Sequence, residues 1–236
     1  MPNTVLLNNV DHQALRVLTQ RSAALGDAVM TAMTFPAEFR SLQAHYPIVF
    51  RKSSDGTTLE PVALLGFEEG QNLFLSAQGW DASYLPLAIE RLPFYIGRDG
   101  DGLVVHIDLD SPRVSQDTGE AVFLPQGGNT EFLERVNSML LAIHQGLQGT
   151  PALVAALMEH NLLEAFVLEV QQTNGTRLQL SDFYTVHEER LQALSGDALQ
   201  RLSQAGHLQA AYMALASLSQ MRALVERHHR LGDTQA

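Results

Sequence analysis

The sequence predicts an α+β fold, with a mainly antiparallel sheet from the N-terminal two-thirds, C-terminal helices and a second β-hairpin. Between residues 46 and 109, short apolar runs alternate with turns rich in Gly, Asp and Asn, which is typical of antiparallel strands. From residue 130 onward, apolar residues recur at spacings of three and four, which is typical of amphipathic helices. We expect the chain, 1–236, to form a single domain.

Five apolar runs predict the strands of this sheet. The predicted strands are residues 46–50, 62–67, 73–75, 94–96 and 103–109. The first three follow one another through turns at 53–56 and 68–72, which predicts a meander. We expect residues 35–94 and the strand 103–109 to form one sheet-centred core.

Helical periodicity dominates the C-terminal part of the chain. Predicted helices cover residues 84–91, 130–148, 151–160, 197–202 and 208–231. Thr130 is the expected N-cap of the second of these helices, and Pro151 fits the first turn of the third. The last helix has an apolar stripe made of Leu208, Tyr212, Leu215, Leu218, Met221, Leu224 and Val225.

The second β-hairpin is predicted around Asn174-Gly175, the strongest short hairpin signal in the chain. Apolar runs at 165–171 and 176–180 flank this turn, and 183–186 extends the second strand. Residues 15–33 allow both strand and helix and stay unassigned. The stretch 110–129 has little periodicity, so it is expected to be a long loop and is the best candidate for an internal boundary.

Composition excludes several classes of protein. The chain has no cysteine, which excludes disulfides, thiolate zinc sites, Cys-ligated iron–sulfur clusters and cysteine nucleophiles. The N-terminus lacks the pattern of a secretory signal, and no run approaches the roughly twenty apolar residues of a transmembrane helix. A soluble, cytoplasmic protein without an integral membrane segment is therefore expected.

The charge pattern argues against phosphate-bearing partners. The formal net charge is -11, and this negative field opposes nucleic acids and anionic membranes. Lys52 is the single lysine and lies outside any GxxxxGK[ST] loop, which excludes a P-loop. No serine lies in a GxSxG motif. We expect no nucleic-acid partner and no cofactor.

A block rich in aromatic residues and proline, between residues 35 and 94, is the most specific part of the sequence. It contains Phe35-Pro36, His45-Tyr46-Pro47, Asn72-Leu73-Phe74, Trp80, Tyr84-Leu85-Pro86 and Leu92-Pro93-Phe94. Together with His106-Ile107-Asp108 and the helical C-terminus, this block resembles the bacterial SapC family over nearly the whole chain. The family is named after a protein encoded with a surface-layer system and brings no catalytic signature. The resemblance implies a non-catalytic binding or accessory protein linked to a surface-layer or envelope-related system.

The same block supplies the candidate binding residues His45, Tyr46, Trp80, Tyr84 and Phe94. Pro47 forces the preceding tyrosine into an extended conformation, and Trp80, the single tryptophan, lies in a turn beside a glycine. Rigid aromatic surfaces with polar tips are enriched where proteins recognise other molecules. These residues predict a ligand or partner site, and the alternative is that they pack the sheet.

His106 and Asp108 form the basis of a second hypothesis. On a strand, their side chains project from the same face, as do two of the three ligands in a two-histidine, one-carboxylate iron site. Candidates for a third ligand lie downstream at His144, His160, His187 and His207. The alternative to a metal site is that Asp108 braces the loop that follows.

Two functional interpretations follow. The first is a SapC-like binding or accessory protein with an unidentified protein or small-molecule partner. The alternative is an enzyme or oxygenase-associated subunit with a metal site that includes His106 and Asp108. In either case the helix 208–231 docks within the fold or on a second copy of the chain, which would make a homo-oligomer.

Overall fold

The computed structural model describes residues 3–100, 102–171 and 177–234. The chain divides into two compact units. The first comprises Met1–Ala28, Leu75–Asp81 and Leu87–Gln145, and the second comprises Val29–Phe74, Ala82–Pro86 and Gly146–Ala236.

Helices and antiparallel strands together confirm the predicted α+β class. The strands are β1 (Thr4–Leu6), β2 (Arg16–Val17), β3 (Thr31–Met33), β4 (Ile48–Lys52), β5 (Leu59–Leu64), β6 (Leu75–Ser76), β7 (Gly79–Trp80), β8 (Phe94–Asp99), β9 (Gly102–Asp108), β10 (Val114–Ser115), β11 (Glu120–Ala121), β12 (Leu163–Gln171) and β13 (Arg177–Val186). The α-helices are α1 (Phe39–Leu42), α2 (Leu87–Glu90), α3 (Glu131–Glu159), α4 (Glu188–Gln192), α5 (Gly196–Gln204), α6 (His207–Ser217) and α7 (Gln220–Thr234). Short 3-10 turns occur at Ala23–Leu25 and Pro36–Glu38.

The first unit is built on three small sheets. Strands β1, β9 and β8 form one antiparallel sheet, β10, β2 and β11 form a second, and β6 pairs with β7. The β8–β9 hairpin is the predicted pair 94–96 and 103–109. The core beneath these strands consists of Leu15, Val17, Phe94, Ile107, Val122, Phe123, Leu133, Val136 and Leu140.

A buried arginine ties the loops of the first unit together. Arg113 places Nη2 2.5 Å from Oδ1 of Asp27, and both side chains are almost fully excluded from solvent. Nη1 of Arg113 also donates to the carbonyls of Leu18 and Gln20, at 3.0 and 2.9 Å. A buried guanidinium is tolerated only with such partners, so this residue fixes the path of the N-terminal segment.

The second unit contains a five-stranded antiparallel sheet with the order β12, β13, β4, β5, β3. Helix α6 packs close to β4 through a face of small residues, and Ile48 N donates to Oγ of Ser217 at 2.8 Å. The small face consists of Ala210, Ala211, Ala214 and Ser217. Small side chains let the helix backbone approach the sheet closely.

The expected single core around one sheet is wrong, because the predicted strands divide between two units. Strands β4 and β5 belong to the second unit, whereas β8 and β9 belong to the first. The prediction that residues 73–75 form the third strand of a meander is wrong as well, since β3 pairs with β5 in their place. Phe74 N bonds to Oδ1 of Asn72 at 3.0 Å, and this turn removes the segment from the ladder.

The second hairpin is confirmed, and its role is larger than expected. Strands β12 and β13 pair over most of their length, and the predicted extension 183–186 is part of β13. Phe183 and Tyr184 then pair with Arg51 and Phe50, so the hairpin joins the main sheet. The predicted turn Asn174-Gly175 lies outside the described residues.

The two helices predicted at 130–148 and 151–160 form one continuous helix, α3, with Pro151 inside it. A proline removes one backbone donor and costs a few kcal/mol in a helix interior. Burial on both sides of it, with Leu140 and Leu153 nearly inaccessible, offsets that cost. The predicted N-cap is correct, because Leu133 N donates to Oγ1 of Thr130 at 3.3 Å.

The helix predicted at 208–231 is divided into α6 and α7. Oγ of Ser217 donates to the Ala214 carbonyl at 2.5 Å, and Oγ of Ser219 donates to the Ala216 carbonyl at 2.8 Å. Such side-chain bonds compete with the helical ladder and favour its end. The apolar stripe is only partly correct: Met221 and Leu224 are buried, but Tyr212 is 48% exposed.

Short elements occupy the remaining segments. The stretch 110–129 is more ordered than the expected loop, since β10 and β11 lie in it and both pair with β2. The unassigned stretch 15–33 holds β2, a 3-10 turn and β3. The helix expected at 84–91 is shorter, covering Leu87–Glu90.

Helix α3 is, among the described residues, the one helix long and apolar enough by length and composition to cross a membrane. Its most apolar 18-residue window has a mean hydropathy of 1.2. The core helix of a folded protein passes the same test. Of that window, 33% is buried inside the protein. The buried apolar residues of α3 follow helical spacing on one side of the helix: Leu133, Val136, Leu140, Ile143, Leu153, Val154 and Leu157.

Candidate functional site

An apolar cleft of about 290 Å³ lies within the second unit, between the β3–β5 edge of the sheet and the second half of α3. Its walls come from the end of β3, the β4–β5 turn and one face of the helix. The lining residues are Met33, Thr34, Thr57, Thr58, Leu59, Glu60, Pro61, Leu147, Thr150, Pro151, Val154, Ala155 and Met158. A cleft of this size and composition is typical of small-ligand sites.

The cleft has a buried floor and an exposed rim. Thr34, Pro61 and Val154 are buried and form the floor. At the rim, the side chain of Met158 is 56% exposed and Ala155 is also open to solvent. The unbranched Met158 side chain adapts to many shapes, so this rim suits an apolar group of variable outline.

Pro151 gives the apolar wall a polar feature. Proline has no backbone N–H, so the carbonyl of Leu147, four residues earlier, lacks its usual helical donor. Both residues line the cleft. The helical wall therefore has one backbone carbonyl without its usual helical donor.

Asp55 orders the β4–β5 turn that forms one lip of the cleft. Its Oδ1 accepts hydrogen bonds from Oγ of Ser53 at 2.6 Å and from N and Oγ1 of Thr57 at 3.0 and 2.8 Å. These bonds, with the Ser53 hydroxyl first, lower the pKa of Asp55 to about 2. Thr57 is thus held by an ionised carboxylate at neutral pH, and Thr58 N donates to Oγ of Ser53 at 3.1 Å.

A buried carboxylate lies just beneath the cleft floor. Glu38, only 3% exposed, accepts hydrogen bonds from Oγ1 of Thr34 at 2.7 Å and from the hydroxyl of Tyr84 at 3.0 Å. The backbone carbonyl of Tyr84 in turn accepts from the Tyr46 hydroxyl. A polar chain therefore connects the aromatic block to Thr34, a floor residue of the cleft.

The structure brings three of the predicted binding residues together in the second unit. His45 Nε2 lies 3.3 Å from Oγ of Ser83, next to the linked pair Tyr46 and Tyr84. Tyr46 is fully buried, with its ring against Phe74, whereas His45 and Tyr84 are half-buried.

The other two predicted binding residues, Trp80 and Phe94, belong to the first unit. Phe94 is fully buried in that unit's core beside the ring of Phe132. Trp80 is half-buried on β7, opposite Leu75. The binding role of all five residues stays a prediction.

His106 and Asp108 lie on β9 of the first unit, as the sequence predicts. The His106 ring covers Gly97 on the neighbouring strand, where an added Cβ would lie 2.4 Å from the ring. The Asp108 carboxylate accepts from Asp110 N at 3.2 Å, which is the bracing role considered as the alternative. In the described part of the chain, no group of three His, Asp or Glu side chains is arranged to hold a metal ion. The hypothesis of a metal site that includes His106 and Asp108 gains no support from this geometry and stays a prediction.

Several residues in and beneath the cleft are not among the residues predicted from the sequence. Glu38 follows the Phe35-Pro36 pair and precedes Phe39, and a single carboxylate between aromatic residues is a signal that it is buried and bonded. The Thr57-Thr58 pair and Met158 carry no such signal. Their juxtaposition depends on the continuity of α3 through Pro151.

Comparison with known proteins gives one clear relationship. No curated protein and no solved structure gave a significant match. The family model of SapC matches residues 7–224, which is most of the 236-residue chain and includes both units. The chain therefore belongs to the SapC family.

Proposed function

We propose that this SapC-family chain is a non-catalytic binding or accessory protein that holds the apolar part of a ligand in the cleft of its second unit. The observation that carries the proposal is the exposed Met158 above a buried floor of Pro61 and Val154. Apolar surface left open at a preformed concave site is stabilised when a ligand removes it from water. Covering this rim would supply the driving force for binding.

The polar groups of the cleft define the class of ligand. Glu60 is the charged residue among the described lining residues, and the chain has a formal net charge of -11. Both features disfavour an anionic ligand. The hydroxyls of the lining threonines already donate within the protein, so they offer a ligand acceptor lone pairs. The expected ligand has a short alkyl or aromatic body and a neutral or cationic end with N–H or O–H donors.

The lining chemistry supports binding rather than catalysis. The described lining residues include no histidine, serine or lysine, the side chains that most often serve as general bases or nucleophiles. The hydroxyl of Thr34 is already engaged with Glu38. The cleft thus offers shape and hydrogen-bond acceptors.

Family membership extends the proposal to a surface-layer or envelope-related system, with the ligand as one of its components. Photo-crosslinking in the native cell from position 155, on the rim, is expected to capture an envelope component. Position 152 is the control, because Ala152 is exposed on the same helix but does not line the cleft. Equal capture of the envelope component from positions 155 and 152 would contradict the proposed connection between the cleft and the envelope-related system.

Titration calorimetry with three ligands of equal chain length tests the binding site. We expect octylammonium and octanol to bind and octanoate to bind least, because the described lining residues include Glu60 and no cation. Glu60→Gln is expected to weaken the binding of octylammonium and to leave the affinity for octanol unchanged.

A matched pair of variants locates the binding. Ala155→Trp fills the rim of the cleft and should abolish binding of octanol. Ala152→Trp places the same side chain on an exposed helical position outside the cleft and should leave binding unchanged. Equal binding to both variants, or no binding to the unmodified chain, would overturn the proposal.

A further inference from the structure

A second groove, of about 230 Å³, lies wholly within the first unit and is separate from the proposed cleft. Strands β8 and β9 form one wall, and α3 forms the other. The lining residues are Ile96, Leu103, Val104, Val105, Asn137, Leu140 and Leu141. Leu103 and Leu141, one from each wall, are each 44% exposed. The groove thus has an apolar mouth.

Asn137 is the single polar side chain among the described lining residues of this groove. Its Oδ1 is buried and has no hydrogen-bond donor within the described part of the protein. A buried acceptor without a partner destabilises the folded protein. Most buried polar groups in folded proteins avoid this cost, so the exception calls for a specific explanation.

We infer that the groove is a binding site for a small, uncharged aromatic molecule with one hydrogen-bond donor, which the Asn137 amide oxygen accepts. The apolar walls provide the driving force, and the amide selects for the donor. Charged ligands are disfavoured, because no charged side chain is among the described lining residues. A bicyclic ring with a single N–H group fits both the volume and the polarity.

Indole and benzofuran form a matched pair of probes for this inference, because they share size and shape and differ in the N–H donor. Methyl NMR of the protein is expected to show indole-dependent shifts at Leu103, Val105 and Leu141. Benzofuran should shift the same methyl groups at higher concentration. A hydrogen bond of ordinary strength corresponds to roughly a five- to tenfold preference for indole.

Asn137→Leu separates the role of the amide from that of the walls. The variant is expected to bind benzofuran as tightly as the unmodified protein does and to lose the preference for indole. It should also melt no earlier, because an unpartnered buried acceptor has been replaced by an apolar side chain. Leu141→Ala should weaken the binding of indole and of benzofuran by the same factor.

Three outcomes would overturn the inference. The first is the absence of shifts at the groove methyl groups with either probe. The second is equal affinity for indole and benzofuran in the unmodified protein, which would mean that the amide does not select the donor. The third is a preference for indole that survives in Asn137→Leu.

Discussion

The hydroxyl of Tyr84 donates a 3.0 Å hydrogen bond to Oε1 of Glu38, a carboxylate that is only 3% exposed. Thr34 donates to the other oxygen of the same carboxylate at 2.7 Å. This arrangement places a bonded acidic group directly beneath the floor of the cleft. It also gives the aromatic block a structural role that does not require a ligand.

Removing the Tyr84 hydroxyl should destabilise the protein. Tyr84→Phe deletes a hydrogen bond to a buried carboxylate, so we expect a loss of about 1.5–3 kcal/mol in the free energy of unfolding. Urea denaturation of the variant and of the unmodified protein measures this difference in the free energy of unfolding. Tyr212→Phe is the control, because that tyrosine is 48% exposed and its loss should change stability little. Equal midpoints for the two variants would contradict this role of Glu38.

Gly146 is required by the close approach of an aromatic ring. A Cβ added there would lie 2.1 Å from the buried ring of Phe35. Gly146→Ala should therefore cost about 1–3 kcal/mol of stability through overpacking. Gly149→Ala, in the same helix with no atom within 4 Å of an added Cβ, should instead stabilise by about 0.5–1 kcal/mol. Thermal unfolding of the two variants checks the predicted difference in sign, and a shift of the same sign in both would refute it.

The turn at the lip of the cleft should lose its order in strong acid. The Ser53 and Thr57 hydrogen bonds hold the pKa of Asp55 at about 2, below its ordinary value of 3.8. Their contribution to stability is therefore full above pH 3.8 and is lost as the pH falls through about 2. Ser53→Ala should raise the pKa of Asp55, as followed by carboxyl NMR. An unchanged pKa in this variant would show that Ser53 is not the main cause.

His228 predicts a pH dependence at the C-terminal helix. Its ring packs against Phe67, and burial, with repulsion from His229, lowers its pKa below the ordinary value of 6.5. The His228 imidazole therefore binds a proton more tightly in the unfolded chain than in the folded protein. The free energy of unfolding keeps its full value above pH 6.5 and falls as the pH drops below 6.5. His228→Gln should flatten this part of the profile in urea denaturation. A slope identical to that of the unmodified protein would exclude His228 as its source.

Local patterns predict the fold class and most of the strands. Turns beside apolar runs locate β4, β5, β8, β9 and the β12–β13 hairpin, because these pairings are close in sequence. The pairing of β3 with β5 and the ion pair between Arg113 and Asp27 join distant segments. Local periodicity holds no information about such contacts.

The candidate cleft could not be predicted for a related reason. Pro151 favours a helix start in the sequence, yet packing on both sides carries α3 through it. That continuity places Val154 and Met158 opposite Pro61. The cleft therefore depends on a tertiary override of a local rule, whereas the aromatic block that the sequence does identify mainly fills the two cores.

Methyl NMR of methionine-labelled protein, titrated with octanol, tests the central proposal most directly. Met33 and Met158 line the cleft, whereas Met30, Met139, Met213 and Met221 do not. We predict saturable shifts of the Met33 and Met158 methyl signals, absent in Ala155→Trp and retained in Ala152→Trp, with the Met30, Met139, Met213 and Met221 signals unchanged. Unmoved Met33 and Met158 signals, or shifts confined to the other methionines, would contradict the proposed site.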